Sequence, residues 1–212
     1  MIFTQSDIVR MEMRCYTSFG KDEVDVSQKG GRKEFRMLNM DKKLAKREEE
    51  GKIIRTGIVG VGQMGRGLVA QMALMKGIMP AIVADHTLEK VIKAFHNAGI
   101  SDEDIAVAKT LEEANRFMEQ GKYVATENDA FISHANLVEV AIDVTGVPEV
   151  GVKIAIDAMN NKKHVVMMDV ETDVVIGSYL KKLGDKNGVI YTGSAGDEPG
   201  AVMELFSFAR AM

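Results

Sequence analysis

This sequence of 212 residues lacks the features of exported and membrane proteins. Its one cysteine, Cys15, cannot form an internal disulfide, which indicates a reducing compartment. Its apolar runs are far shorter than the roughly 20 residues that a membrane-spanning helix needs. Asp7 and Arg10 lie where a signal peptide would be apolar, so no export signal is predicted. We therefore expect a cytoplasmic protein that does not bind a membrane.

The sequence also lacks an excess of charge of one sign and lacks grouped metal ligands. Its formal net charge is −4, so no general surface for binding nucleic acid is predicted. The histidines do not fall at metal-ligand spacing, since His96 is expected on a helix and His164 at the start of a strand. We expect neither a nucleic-acid partner nor a bound metal.

What the sequence does contain is a regular alternation of apolar runs and helix-like segments. About six strands are predicted, at 53–60, 80–85, 122–126, 137–144, 164–168 and 189–192. Helices are predicted at 38–51, 63–76, 87–98, 111–120, 148–161, 173–183 and 201–212, with one helical turn at 129–135. This rhythm indicates parallel strands with crossover helices. The predicted fold class is α/β, a Rossmann-type doubly wound and mostly parallel sheet.

The first residues do not share this alternation. The stretch before residue 38 is polar in its second half and is broken by Gly30 and Gly31. It is expected to be a poorly ordered N-terminal extension, and an ordered extra hairpin is the alternative. The predicted division is an extension at 1–37 and a dinucleotide-binding (Rossmann) domain at 38–212.

A glycine-rich turn follows the first predicted strand. Gly60, Gly62 and Gly65 have the G-x-G-x-x-G spacing of a dinucleotide-binding turn. The first glycine permits the tight turn, the second lets a pyrophosphate approach the backbone, and the third lets the helix pack closely on the strand. Gln63 and Met64 begin that helix, where free backbone N–H groups and the positive end of the helix dipole face the phosphates. The turn therefore predicts NAD or NADP as cofactor.

Asp85 ends the second predicted strand, 20 residues beyond Gly65. An acid at this place accepts hydrogen bonds from the ribose hydroxyls of adenosine, which favours NAD over NADP. The alternative is that Asp85 caps the next helix, although Thr87 could do so instead. Arg66, in the glycine turn, could meet a 2′-phosphate, which leaves NADP open.

Further candidate residues lie where the later strands end. Thr145 and Gly146 follow the fourth predicted strand and would line the nicotinamide end of the site, unless they form a simple turn. Asp169 and Glu171 follow the next strand, and Asp197 lies in a loop after the last one. These three acids are candidates for acid–base catalysis or substrate contact. The alternatives are that Asp173 caps the next helix while Asp169 and Glu171 are solvated, and that the loop around Asp197 is a simple turn.

The longer motifs of the sequence resemble a known family. Val170-Glu171-Thr172-Asp173 and Gly196-Asp197-Glu198-Pro199 are more specific than the glycine turn. With the segments that begin IIRTGIVGVGQMG and AIDVTGVPEV, they resemble the N-terminal half of the homoserine-dehydrogenase-like oxidoreductases, over roughly 38–212. The closest resemblance is to the branch with a C-terminal SAF domain, which includes 1-deoxyxylulose-5-phosphate reductoisomerase-like enzymes.

This resemblance implies an NAD(P)-dependent oxidoreductase that transfers hydride between a nicotinamide and a small hydroxy or oxo substrate. It also implies a substrate-binding and dimerisation region with a catalytic lysine, which in the family follows the half that this sequence resembles. We therefore expect a homo-oligomer, or association with a C-terminal substrate domain. Homoserine dehydrogenases proper carry an Asn-Lys pair where this sequence reads Met168-Asp169. A non-catalytic dinucleotide-binding module or subunit is the alternative.

Overall fold

The computed structural model describes residues 40–194 and 200–211. The extension predicted at 1–37 lies outside the described residues, so the division into two regions stays a prediction. The described helices are α1 Met40–Glu49, α2 Gln63–Leu74, α3 Leu88–Asn97, α4 Leu111–Glu119, α5 Ala130–His134, α6 Pro148–Asn160, α7 Val170–Asn187 and α8 Gly200–Ala211. The described strands are β1 Ile54–Val59, β2 Ile78–Ala84, β3 Ile105–Val107, β4 Tyr123–Thr126, β5 Val140–Asp143, β6 His164–Met167 and β7 Tyr191–Gly193.

The strands form one parallel sheet in the order β3-β4-β2-β1-β5-β6-β7. The predicted α/β class and Rossmann-type topology are confirmed. The sheet has one strand more than the sequence predicts, because β3 is only three residues long and pairs at the edge with β4. The strands β2, β3 and β4 lie on one side of β1, and the chain then crosses back so that β5 lies on the other side. This reversal creates the crevice where open α/β sheets bind their ligands.

Strand register brings the ends of the three central strands to one level. Val59, the last residue of β1, pairs with Ala84 of β2 on one side and with Asp143 of β5 on the other. The segments after these strands, which begin with Gly60 and Asp85 on the first two, therefore emerge side by side. They form the carboxyl edge of the sheet at the crevice.

Two apolar layers hold the helices on the sheet. One layer packs α2 and α3 on the first face through Ile58, Val69, Val83, Val91, Phe95 and Ile142, all buried. The other packs α4 to α7 on the second face through Ile82, Val124, Ile132, Ile154, Met159 and Leu180. Burial on both faces explains why the strands read as continuous apolar runs. Within the described ranges, no helix is long and apolar enough to cross a membrane.

Local signals place the helix ends. Thr110 and Glu113 form a capping box at the start of α4, and the Glu113 N–H donates to the Thr110 hydroxyl oxygen at 3.2 Å. The prediction of a helix at 173–183 is wrong at both ends. The helix α7 begins after Asp169, which caps it, and ends at Gly188, whose φ is +70°. Gly184 instead lies inside α7, where a Cβ would come within 3.2 Å of Tyr191.

Candidate functional site

The glycine turn lies at the crevice and uses its first glycine for backbone reasons. Gly60 has a φ of +96°, which side-chain-bearing residues rarely adopt. A Cβ at this position would lie 2.8 Å from the carbonyl oxygen of Val144, just after β5. The Gly60 N–H donates to the carbonyl of Ala84 at 2.8 Å. The turn is therefore fixed against the segments that follow β2 and β5.

The other two glycines of the motif have opposite surroundings. A Cβ at Gly65 would lie 2.0 Å from the carbonyl oxygen of Gly60, so only glycine lets α2 pack this closely on β1. A Cβ at Gly62 would meet nothing within 4 Å. Two glycines are thus required by the fold, whereas the middle one leaves an open surface. This is the arrangement that fits a pyrophosphate resting against the turn.

The start of α2 offers an anion its free backbone donors. Gly62 precedes the helix in an extended conformation and provides no side-chain cap. The N–H groups of Gln63 and Met64 lie in the first turn, where the helix supplies them no carbonyl partner. Both residues are exposed, and no acidic side chain lies in this turn. The positive end of the α2 dipole therefore faces the crevice.

The Asp85 side chain binds the backbone of the glycine turn. Its Oδ2 atom accepts a hydrogen bond from the Val61 N–H at 2.9 Å, and its Oδ1 atom accepts one from the Thr87 N–H at 3.1 Å. Only 8% of the side chain is exposed, and His86 Nδ1 lies 3.1 Å from Oδ1. Thr87 makes no side-chain hydrogen bond as a cap. The carboxylate thus holds the middle of the turn in place.

A cleft of about 360 Å³ runs along these strand ends. Of the predicted cofactor residues, Gly60, Gly62, Asp85 and Thr145 line it together. Gly146 is adjacent, with a φ of +65°, in the left-handed region that favours glycine. Sequence reasoning missed four further polar lining residues, His86, Lys90, Glu127 and Asp129. The last two follow β4, and the predicted strand at 122–126 was the signal that could have identified them.

Thr145 is oriented by a buried acid. Asp143 Oδ1 accepts hydrogen bonds from the Thr145 hydroxyl at 2.8 Å and from the Thr145 N–H at 3.1 Å. Asp143 is fully buried, and its Oδ2 atom has no hydrogen-bond partner among the described residues. Burial raises the pKa of this carboxyl, and hydrogen bonding to Thr145 partly opposes that rise. The arrangement fixes the Thr145 side chain at the edge of the cleft.

The two predicted catalytic acids that the structure describes, Asp169 and Glu171, lie outside the cleft. Asp169 is 2% exposed and caps α7, accepting from the Thr172 N–H at 3.2 Å and from the Thr172 hydroxyl at 2.8 Å. Glu171 is exposed on the first turn of the same helix. Neither lines the cleft. Asp197 lies outside the described residues, so the catalytic roles of all three acids stay predictions.

The remaining acid of this region is used structurally. Asp173 Oδ1 accepts a hydrogen bond from the Tyr191 hydroxyl at 2.7 Å. Burial and the neighbouring Asp173 raise the pKa of Tyr191, so the phenol stays protonated and acts as a donor. In the part of the chain that the structure describes, no three His, Cys, Asp or Glu side chains are arranged to hold a metal ion.

Comparisons with known proteins find similarity in solved structures. No protein-family model matches the chain, and no curated protein matches it in sequence. The chain is similar to scyllo-inositol dehydrogenase from Lactobacillus casei with bound NAD(H) and scyllo-inositol (TM-score 0.51, 14% identity, 75% of this chain and 42% of that one). It is also similar to a putative oxidoreductase from Bacillus subtilis (TM-score 0.51, 18% identity, 74% and 39%). A homoserine dehydrogenase from Thiobacillus denitrificans matches with a TM-score of 0.48 and 17% identity over 67% of this chain and 29% of that one.

These similarities establish the fold. Identities of 14% and 18% are too low to carry residue roles from one chain to the other. The chain spans about two fifths of the length of the first two structures, with 42% and 39% of each covered. The matched structures are dehydrogenases and oxidoreductases by name. The homoserine-dehydrogenase-like family and its SAF-domain branch stay predictions from the sequence.

Proposed function

We propose that residues 38–212 form the cofactor-binding domain of an NAD(P)-dependent oxidoreductase. The observation that carries this proposal is the glycine turn at the crevice, where Gly60 and Gly65 are required by the fold while Gly62 leaves the surface open. The uncapped N-terminus of α2 lies beside this open surface and supplies backbone donors for an anion. The similarity to the solved dehydrogenases supports the same function at the level of the fold.

In this function the chain binds and orients the cofactor. The N–H groups of Gln63 and Met64 would hold the pyrophosphate, and Gly62 would let it come close to the backbone. Thr145, held by Asp143, lines the end of the cleft that we assign to the nicotinamide, and Gly146 lies next to it. The bound nicotinamide supplies the hydride acceptor or donor. The substrate we propose is a small hydroxy or oxo compound, as the homoserine-dehydrogenase-like resemblance implies.

Among the predicted catalytic acids, the two described ones differ in availability. Glu171 is exposed and makes no ion pair or side-chain hydrogen bond with another described residue. Asp169 is occupied by its capping bonds. We therefore assign the substrate contact to Glu171 and a positioning function to Asp169, which fixes the first turn of α7.

The test is a titration with NADH and NADPH, followed by the fluorescence of the reduced nicotinamide. The chain contains no tryptophan, so this emission is measured without tryptophan background. Gly62→Ala is expected to weaken binding of both cofactors by about tenfold, or about 1.4 kcal/mol, because its Cβ takes the space of the pyrophosphate. The matched control is Gly67→Ala on the same helix, where a Cβ also meets nothing within 4 Å. Absence of binding, or a Gly62→Ala variant that binds as the wild type does, would refute the proposal.

A second candidate function is a dinucleotide-binding module without catalysis. It is favoured by one observation: neither Asp169 nor Glu171 lines the cleft in which the cofactor residues meet. The two functions are separated by turnover. If the chain binds cofactor and never oxidises or reduces any of a panel of hydroxy acids, homoserine and sugar phosphates, the module is the better account.

A further inference from the structure

A second cavity of about 360 Å³ lies beside the glycine turn, between α2 and α3. Three of its lining residues are cationic: Arg66 on the first turns of α2, and Lys90 and Lys93 on α3. No acidic residue lines this cavity. Gly62 and Lys90 line both this cavity and the cofactor cleft, so the two spaces adjoin at the turn.

The fold brings these cations together from separate parts of the sequence. Lys90, Lys93 and Asn97 are spaced three and four residues apart, so they lie on one face of α3. The helices α2 and α3 pack against each other, which sets that face opposite Arg66. The buried Val91 and Phe95 anchor the other side of α3 on the sheet. The cluster is thus held by the packing of the domain and not by a flexible loop.

The three cations have no internal counter-charge. Among the described residues, Arg66, Lys90 and Lys93 form no ion pair and no side-chain hydrogen bond, whereas Lys46, Lys52, Lys153 and Lys181 are all paired with acids. Like charges around one cavity repel each other, and an anion placed between them removes that cost. The positive end of the α2 dipole acts in the same direction. The cavity is therefore electrostatically suited to a phosphate group.

Asp85 does not oppose such a group directly. An acid after β2 normally favours NAD because its carboxylate faces the ribose hydroxyls and repels a 2′-phosphate. Here the two carboxylate oxygens accept from the N–H groups of Val61 and Thr87, and the side chain does not line the cationic cavity. Its charge is directed at the glycine turn. The basis on which the sequence favours NAD is thereby weakened.

We infer that the cavity lined by Arg66, Lys90 and Lys93 binds the 2′-phosphate of NADP(H), so that this chain selects NADP(H) over NAD(H). This inference rests on the proposed function, because the adenosine ribose must lie beside the glycine turn. It assigns the phosphate to side chains on α2 and α3, and it assigns Asp85 to holding the turn. The sequence-based preference for NAD is reversed.

The test compares equilibrium affinities for NADPH and NADH, again by nicotinamide fluorescence. The wild type is expected to bind NADPH at least about tenfold more tightly than NADH. Combining Arg66→Gln with Lys93→Gln is expected to remove that preference by weakening NADPH alone, because Lys93 does not line the cofactor cleft. The matched control is Lys76→Gln, an exposed lysine just beyond the other end of α2, which should change neither affinity.

The outcomes separate the inference from the function on which it rests. NADH binding that equals or exceeds NADPH binding overturns the inference and leaves the cofactor-binding function standing. A double variant that loses both cofactors equally also overturns it, since the cations would then serve the shared pyrophosphate. Failure of the wild type to bind either cofactor refutes the proposed function and the inference together. The three substituted positions are not buried, and unchanged thermal unfolding of each variant confirms that it is folded.

Discussion

Replacing Gly65 with alanine is expected to destabilise the domain, although alanine is the better helix former. The new Cβ would lie 2.0 Å from the carbonyl oxygen of Gly60 and 2.9 Å from its carbonyl carbon, whereas ordinary contact begins at 3.4 Å. Both contacted atoms belong to the backbone, so no side chain can rotate away. The helix α2 must withdraw from β1 to make room.

The magnitude follows from two opposing terms. Overpacking a buried site costs about 1–3 kcal/mol, and a clash with backbone belongs at the upper end of that range. The gain in helix propensity returns at most about 1 kcal/mol. We therefore expect Gly65→Ala to lower the free energy of unfolding by about 2 kcal/mol. Gly67→Ala lies in the same helix with open space around its Cβ, and it should raise stability by about 0.5–1 kcal/mol.

The assay is urea unfolding of the wild type and both variants, followed by far-ultraviolet circular dichroism. The two variants should differ by about 3 kcal/mol, with an unchanged dependence of the unfolding free energy on urea. The same pair should differ by roughly 6–12 °C in Tm, given about 2–4 °C per kcal/mol for a domain of this size. Equal stability of the two variants would refute the claim that Gly65 is required for the packing of α2 on β1.

Three further predictions concern buried charges. Burial raises the pKa of Asp143, so the favourable contribution of its protonated form to stability is full below the unfolded pKa of about 3.9 and is lost as pH rises through the folded pKa. Asp143→Asn should therefore make the unfolding free energy depend less on pH above about pH 4, and an unchanged slope contradicts this. Lys163 Nζ donates to the carbonyls of Ala135 at 2.5 Å and Val138 at 2.8 Å. Lys163→Ala should therefore lower the unfolding free energy by about 2 kcal/mol, and an unchanged free energy in urea unfolding would contradict this prediction. Asp85→Ala should weaken the binding of NADH and NADPH equally, by about 1–3 kcal/mol, because it loosens the glycine turn. A loss of affinity confined to NADH in the fluorescence titration would instead show that Asp85 contacts the ribose.

Much of the fold could be predicted because each strand is buried on both faces and reads as an apolar run between helical segments. Pro148, at the start of α6, and the capping box of α4 marked their helices correctly. The strand β3 could not be predicted, because three residues at a sheet edge carry no pattern of their own. The end of α7 was misplaced since Gly184 looks like a stop signal in sequence, while its absent side chain actually makes room for Tyr191.

The candidate site divides in the same way. The glycine turn was visible because its function requires glycines at fixed spacing within one segment. The cationic cavity was not, because Arg66 and Lys93 lie on different helices and meet only through helix packing. The hydrogen bond from the Val61 N–H to Asp85 could not be predicted either, because a sequence gives the position of a carboxylate and not the direction in which it points.

The central claim is that a nicotinamide dinucleotide binds at the glycine turn, and amide hydrogen exchange with and without NADPH tests it most directly. We expect NADPH to slow exchange in peptides that cover 58–68 and 143–147, and to leave α4, on the opposite face, unchanged. Protection confined to other segments, or no protection at a saturating concentration of NADPH, would contradict the claim.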